Sequence, residues 1–158
     1  MFLNRNTPDK APYFAFNGPL VVNDVLVIGG NGGGKAAGGY GDEGFIKESK
    51  PEDIRGYDAK TGKLLWTFRV MPREGEPRNE TWGKDSWKYM GNMAAWGPLT
   101  ADESLRYVYV PLSAPTFSYY GVHRPGKNVY SDSLVALNIK TGKLMWNFQN
   151  GAPRYVGL

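Results

Sequence analysis

The stretch IRGYDAKTGKLLWTF, residues 54–68, decides the fold, because it returns at residues 134–148 as LVALNIKTGKLMWNF. In each copy an alternating apolar run predicts a strand, and Asp or Asn then opens a tight turn with its own side chain. Gly takes the left-handed position of that turn, and a second strand carries Trp and Phe on alternate positions. The sequence therefore predicts the same β-hairpin twice, each with a large aromatic side chain at a fixed place.

The repeat reaches further back along the chain. Gly18-Pro19-Leu20 precedes the first hairpin and Gly97-Pro98-Leu99 precedes the second. Each is followed by a predicted short turn, at Asn23-Asp24 and at Asp102-Glu103, and by another alternating strand. One unit is therefore two hairpins, and four-stranded units in tandem are typical of propeller blades. The chain is predicted to be all-β, with two four-stranded antiparallel blades. The alternative is two chance T-G-K turns between unrelated hairpins, which the double match in order and spacing argues against.

Composition excludes several classes of protein. The chain has 158 residues, 14% aromatics, 21 Gly and no Cys, which fits one β-rich domain without disulfides or thiolate metal sites. The net charge of +4 is spread along the chain, so a nucleic-acid surface is not indicated. The start, MFLNRNTPDK, lacks the apolar core of a signal peptide, and no apolar run approaches the length of a membrane span.

The stretch at residues 29–44 is the most glycine-dense part of the chain. It lacks the Gly-Lys-Ser or Gly-Lys-Thr of a phosphate loop, and its composition favours a flexible loop. The alternative is a segment whose backbone N–H groups lie against a flat or anionic ligand, which only Gly permits. Acidic residues in or near this stretch either ligate a hard cation or lie on the surface: Asp42, Glu43, Glu48 and Glu52.

Two long connections join the predicted strands. Residues 70–95 contain Trp82 and Trp87 and are too aromatic for a solvated linker, which predicts a loop packed on one end of the blades. Residues 113–132 contain the only His of the chain, His123, which has no metal-ligating neighbours in sequence and is interpreted as structural.

The pattern A-x-D-x-x-T-G-K-x-x-W resembles the tryptophan-docking blade of the pyrroloquinoline quinone (PQQ)-dependent dehydrogenases, which are eight-bladed propellers. Residues 79–103, NETWGKDSWKYMGNMAAWGPLTADE, and the segment at 107–138 resemble the glucose dehydrogenase branch of that family. The resemblance covers nearly all of residues 12–149, and the chain is similar to about two blades of such an enzyme.

The resemblance implies an oxidoreductase that usually works in the periplasm. A bound quinone would take two electrons from an alcohol or an aldose, helped by Ca²⁺ as Lewis acid and an Asp as general base. The electrons would pass to a cytochrome or to ubiquinone. The alternative is a non-enzymatic propeller that acts as a binding or assembly scaffold, since one fold hosts many functions.

Four positions carry the resemblance to the cofactor site. Trp96 matches the tryptophan on which the quinone ring stacks, at the inner end of a strand, and the alternative is a core tryptophan. Asn31, Gly32 and Gly33 match the segment that brings backbone to the edge of the quinone. The positions that match metal ligands of the methanol-type branch are Gly34 and Ala114 in this chain, and neither has a side-chain donor. The metal ligands of this chain therefore stay unassigned.

The predicted organisation has five parts: a lead-in segment at 1–16, a blade at 17–69, an inserted loop at 70–95, a blade at 96–149 and a tail at 150–158. The tail, NGAPRYVGL, departs from the resemblance. Read one base later, its degenerate codons admit Thr-Val-His-His-Gly-Met-Trp-Asp, whose final Asp is the family's catalytic base. The hypotheses are a frameshift and a natural divergent terminus, and sequencing the gene past the codon for Gln149 decides between them.

A pair of blades leaves two outer faces uncovered. We therefore expect this chain to self-associate through exposed blade faces, or to be poorly soluble. Because a quinone site on a propeller axis draws on loops from most blades, we expect this chain alone to bind no quinone or metal and to show no quinone-dependent turnover.

Overall fold

The computed structural model describes residues 17–30, 52–115 and 121–151. They form two four-stranded antiparallel sheets whose strands follow one another in sequence order. The first sheet consists of β1 (Leu20–Val22), β2 (Val25–Ile28), β3 (Ile54–Asp58) and β4 (Leu64–Phe68). The second consists of β5 (Thr100–Asp102), β6 (Tyr107–Leu112), β7 (Ser133–Asn138) and β8 (Leu144–Gln149). The predicted pair of four-stranded blades is confirmed.

The two repeat turns have the predicted chemistry. The carboxylate of Asp58 accepts hydrogen bonds from the N–H groups of Lys60 and Thr61, at 3.0 and 2.7 Å. The side-chain oxygen of Asn138 accepts the equivalent bonds at 3.0 and 3.1 Å. Gly62 and Gly142 adopt φ of 72° and 66°, which a side chain would strain. The register shifts by one residue at the same place in both hairpins, so the repeat extends to the irregularities of the strands.

The turns between the first two strands of each sheet differ from one another. Asn23 and Asp24 form a two-residue turn with both φ positive, at 49° and 60°. A short turn at Asp102-Glu103 was expected in the second sheet, but Asp102 is the last residue of β5. Its carboxylate accepts hydrogen bonds from the Ser104 hydroxyl and the Leu105 N–H, at 2.6 and 2.9 Å. These bonds organise a longer turn over residues 103–106.

The connection between β4 and β5 contains two short 3₁₀ segments, Asn79–Thr81 and Gly83–Lys88. Its apolar side chains are buried with those of the sheets, namely Met71, Trp82, Met90 and Met93. The Trp82 indole also donates a hydrogen bond to the Val129 carbonyl, at 2.7 Å. This connection therefore packs against the loop between β6 and β7.

One tryptophan joins the two sheets. Trp66 on β4 is 7% exposed, and its Nε1–H donates to the Ile139 carbonyl at 2.8 Å. Its ring lies over Gly142, where a Cβ atom would come within 2.5 Å of the indole. On the same strand Phe68 contacts Tyr130, with ring centroids 5.3 Å apart. The sheets consequently share one hydrophobic core, and β4 of the first is covered by the second.

Within the described ranges, no helix has the length and apolar character needed to cross a bilayer.

Candidate functional site

A groove of about 200 Å³ lies between the segments that lead into the first strands of the two sheets. Trp96 lies at this groove with 44% of its surface exposed. Its indole is a large, rigid and planar group on which a flat ring can stack. The groove is lined by Asn17, Gly18, Pro19, Leu20, Trp96, Pro98 and Leu99.

Asn17 fixes the backbone on both sides of Trp96. Its side-chain amide donates to the Ala95 carbonyl at 2.8 Å and to the Gly97 carbonyl at 2.9 Å. Asn17 occupies in the first unit the place that Trp96 occupies in the second, and no sequence pattern predicted that the two positions meet. One donor group shared between two carbonyls restricts the orientation of the peptide that carries the indole.

The segment that leads into Trp96 is held from both sheets. Asn92 and Met93 adopt left-handed φ of 64° and 65° and are both buried. The Asn92 carbonyl accepts a hydrogen bond from the Glu52 N–H at 3.2 Å, and its side-chain amide donates to the Ala114 carbonyl at 3.3 Å. Two consecutive left-handed residues without glycine cost conformational energy that the surrounding contacts must offset.

The structure corrects one feature expected of Trp96. The sequence placed it at the inner end of a strand, but β5 begins only at Thr100. Trp96 instead follows Ala95, which forms an isolated bridge with Leu112. The indole is therefore positioned by the connection between the sheets and by Asn17, because Gly97 and Pro98 separate it from the regular strand.

Asn31, Gly32 and Gly33 lie outside the described residues, as do Asp42, Glu43 and Glu48. Gly30 is the last described residue before this glycine-rich stretch, and a Cβ atom built on it would come within 2.2 Å of the Glu52 backbone. Only glycine fits so close an approach. For Glu52 the sequence left two interpretations, a surface residue or a cation ligand. Its side chain is only 4% exposed, so the prediction of a surface position is wrong.

Asp53 is a buried carboxyl group at the start of β3 that the sequence did not single out. It is 6% exposed, and its Oδ1 accepts a hydrogen bond from the Val70 N–H at 3.3 Å. Burial raises its pKa from 3.8 to about 6, although that bond and the charges of Arg55, Arg69 and Arg73 act in the opposite direction. Asp53 can therefore exchange a proton near neutral pH.

The loop between β6 and β7 is organised by polar groups. The Arg124 guanidinium donates to the Asn128 side-chain oxygen at 2.9 Å, and both residues are buried. The backbone carbonyl of His123 accepts a hydrogen bond from the Tyr89 hydroxyl at 2.6 Å. Among residues 17–30, 52–115 and 121–151, no three His, Cys, Asp or Glu side chains come together as a metal site.

The chain matches a family model over residues 3–151, described as the β-propeller domain of PQQ-dependent glucose, ethanol and alcohol dehydrogenases. It is 42% identical over 97 residues to quinoprotein glucose dehydrogenase A of Acinetobacter calcoaceticus, covering 61% of this chain and 12% of that protein. It is 33% identical over 161 residues to quinohemoprotein alcohol dehydrogenase ADH IIB of Pseudomonas putida, covering 92% and 21%. The chain thus spans a small part of the length of these relatives.

Solved structures show the same architecture. The quinohemoprotein alcohol dehydrogenase ADHIIG of Pseudomonas putida HK5 superposes with a TM-score of 0.69 at 26% identity, over 87% of this chain and 20% of that one. The quinohemoprotein alcohol dehydrogenase of Comamonas testosteroni superposes with a TM-score of 0.68 at 26% identity, with the same coverage. Both sheets take part in these superpositions, because each covers most of this chain.

Proposed function

Because the chain belongs to the β-propeller family of PQQ-dependent glucose, ethanol and alcohol dehydrogenases, we propose that it forms two blades of an enzyme that oxidises an alcohol or an aldose sugar. The observation that carries this proposal is Trp96, which is 44% exposed and lines the groove between the segments that lead into the two sheets. In this assignment residues 17–69 and 96–149 are the blades and residues 70–95 are the inserted loop. No feature of the described residues favours the scaffold alternative.

The described residues fit one face of a flat cofactor. Trp96 would stack on the quinone, and the Asn17 amide would hold the indole in place through the carbonyls of Ala95 and Gly97. When bound, PQQ supplies the two-electron chemistry of the reaction. The chain's own contribution would be to bind and orient the ring, with Leu20 and Leu99 supplying apolar surface to the groove beside Trp96.

The remaining parts of the site are assigned from the family. Asn31, Gly32 and Gly33 would bring backbone N–H groups to the quinone edge. Ca²⁺ would serve as Lewis acid, with ligands that the described residues do not bring together. We further propose that electrons pass to a quinone or a cytochrome, that the enzyme works in the periplasm, and that this chain by itself self-associates.

A hybrid enzyme tests the proposal. The segment of Pseudomonas putida ADH IIB that aligns with residues 17–149 is replaced by these residues of the chain, and the tail at 150–158 is left out. The hybrid, supplied with PQQ and Ca²⁺, is assayed with a redox dye against primary alcohols and aldoses. We expect PQQ-dependent dye reduction by the hybrid and none by the 158-residue chain alone, because one blade pair contributes a minority of the loops around the axis.

The unmodified enzyme serves as the reference, and circular dichroism establishes that the hybrid is folded. A folded hybrid with no PQQ-dependent turnover on any of these substrates would contradict the proposed function. Turnover by the isolated chain would contradict the assignment of only part of the site to these two blades.

A further inference from the structure

The backbone that leads into Trp96 is fixed by β6 of the second sheet and its continuation. The Ser113 N–H donates to the Ala94 carbonyl at 3.0 Å, and Ala95 forms a bridge with Leu112. Ala95 is fully buried and directly precedes Trp96. Because the surroundings of a buried residue are close-packed, a displacement of Ala95 would be transmitted to the peptide that carries the indole.

Gly29 lies against Ala95 from the side of the first sheet. It is buried and directly follows Ile28, the last residue of β2, which pairs with Arg55 of β3. A Cβ atom built on Gly29 would stand 2.8 Å from the Ala95 Cβ atom and 3.3 Å from the Oδ1 atom of Asn17. The two sheets therefore approach each other at Gly29 without room for one methyl group.

Space, and not backbone conformation, is what requires glycine at position 29. The φ of Gly29 lies outside the left-handed region, so its backbone would admit a side chain. Two carbon atoms pack best at about 3.5–4.0 Å, well beyond the 2.8 Å available here. An alanine would therefore displace Ala95 or Asn17, and the Asn17 amide holds the carbonyls on both sides of Trp96.

The next glycine supports the same segment at its other end. A Cβ atom built on Gly30 would overlap the Glu52 backbone, at 2.2 Å. The Glu52 N–H in turn donates to the Asn92 carbonyl at 3.2 Å, near the start of the segment that leads into Trp96. Two consecutive glycines at the end of β2 therefore bring the first sheet to both ends of this segment.

We propose that Gly29 is a positioning residue of the stacking site, and that the end of β2 sets the orientation of the Trp96 indole because no side chain intervenes there. This inference rests on the proposed function, in which Trp96 stacks on the quinone. Gly29 also stands two residues before Asn31, where the part of the site at the quinone edge is proposed to begin. The end of β2 thereby links two parts of the site that lie far apart in the sequence.

A pair of complementary substitutions tests this contact. Gly29→Ala adds a methyl group for which there is no room, and Ala95→Gly removes the methyl group that it would meet. The double variant restores the space at the closest contact, so it should recover what Gly29→Ala loses. Gly83→Ala is the matched control, because a Cβ atom there would come equally close, at 2.8 Å, to the Pro125 carbonyl oxygen, in the contact between the inserted loop and the loop after β6.

The first measurement needs no cofactor. Fluorotryptophan incorporated into the 158-residue chain gives a fluorine NMR resonance for each of its five tryptophans, and Trp96→Phe identifies that of Trp96. We expect Gly29→Ala to shift the Trp96 resonance and Gly83→Ala to leave it in place. The double variant should show the resonance of Ala95→Gly alone. Circular dichroism follows folding, and a Gly29→Ala chain that fails to fold should regain its structure when Ala95→Gly is added.

The second measurement is the affinity of the hybrid enzyme for PQQ. We expect Gly29→Ala to weaken binding at least about fivefold, the lower end of the range for losing a stacked ring. The double variant should bind within about twofold of Ala95→Gly alone, and Gly83→Ala should bind as the unmodified hybrid does. A purely structural role for Gly29 would lower stability without moving either the affinity or the Trp96 resonance.

Two results in the chain alone would overturn the inference: a folded Gly29→Ala variant whose Trp96 resonance is unmoved, and a loss that Ala95→Gly does not restore. Unchanged affinity of the Gly29→Ala hybrid for PQQ would also overturn it, and would leave the proposed function intact. An unmodified hybrid that binds no PQQ would contradict the proposed function instead, and the Trp96 resonance would still decide whether Gly29 orients the indole.

Discussion

Trp66→Ala is expected to lower the free energy of unfolding by about 3–5 kcal/mol, the range for removing a large aromatic side chain from a core. The indole is 7% exposed and lies between Gly56 of its own sheet and Gly142 of the other, where added Cβ atoms would meet it at 2.2 and 2.5 Å. Truncation also leaves the Ile139 carbonyl without its donor in a buried place. Such a loss is a large share of a typical domain's stability.

The chain contains its own control for this experiment. Trp146→Ala removes the same side chain from the equivalent position of the second sheet, where it is 41% exposed. Urea titration at low protein concentration, followed by circular dichroism, should give a loss of about 1 kcal/mol or less for this variant. Trp66→Phe should fall between the two, because it keeps a ring and loses the N–H donor. Equal losses for the two alanine variants would contradict the role assigned to Trp66.

Asp53→Asn is expected to change how stability depends on pH. The folded pKa of Asp53, about 6, lies above its ordinary value of 3.8, so the folded chain binds more protons than the unfolded chain between these values. The contribution of Asp53 to stability is therefore lost as the pH rises from about 4 to above 6. A shift of this size corresponds to about 3 kcal/mol. At pH 8 the asparagine variant should therefore be more stable than the unmodified chain, by up to about 3 kcal/mol. Its stability should not decrease between pH 4 and pH 6 as that of the unmodified chain does.

The asparagine oxygen can still accept the Val70 N–H, so the substitution removes the charge and keeps the acceptor. Glu103→Gln makes the same change of charge at an exposed position and serves as control. Thermal unfolding of the three proteins is compared at intervals from pH 4 to pH 8. Parallel curves for the unmodified chain and Asp53→Asn would show that the carboxyl group is not buried as described.

The sequence predicted the parts of the fold that local chemistry determines. Asp58 and Asn138 organise their turns through their own side chains, and glycine at 62 and 142 has the φ that such a turn requires. These contacts lie within a few residues of one another, so a repeat in the sequence is enough to find them. The short turn expected after β5 was wrong, because Asp102 organises a longer turn from the end of the strand.

The features that the sequence did not predict depend on distant partners. Asn17 and Asp53 read as ordinary polar residues until the sheets pack, when one bridges the backbone around Trp96 and the other is buried. Trp66 and Trp146 stand in nearly identical sequences, yet only one is covered. No local pattern distinguishes them, because the difference lies in whether a neighbouring sheet is present.

For the candidate site, the sequence identified Trp96 through resemblance, and the structure adds its exposure and its support by Asn17. The backbone of Asn92 and Met93 was not foreseen, since left-handed residues other than glycine carry no reliable sequence signal. Asn31, Gly32 and Gly33 fall outside the described residues, and their place at the quinone stays a prediction.

The central claim is that these two blades supply the stacking face of a PQQ site through Trp96. Titration of PQQ into the hybrid enzyme, with and without Trp96→Ala, tests it most directly. Stacking of a planar ring on an aromatic side chain contributes about 1–3 kcal/mol in base recognition, which corresponds to a loss of affinity of about 5- to 150-fold. The account predicts a loss in this range for Trp96→Ala and little change for Trp87→Ala, a half-buried tryptophan of the inserted loop. Equal affinity of the hybrid and its Trp96→Ala variant for PQQ would contradict it.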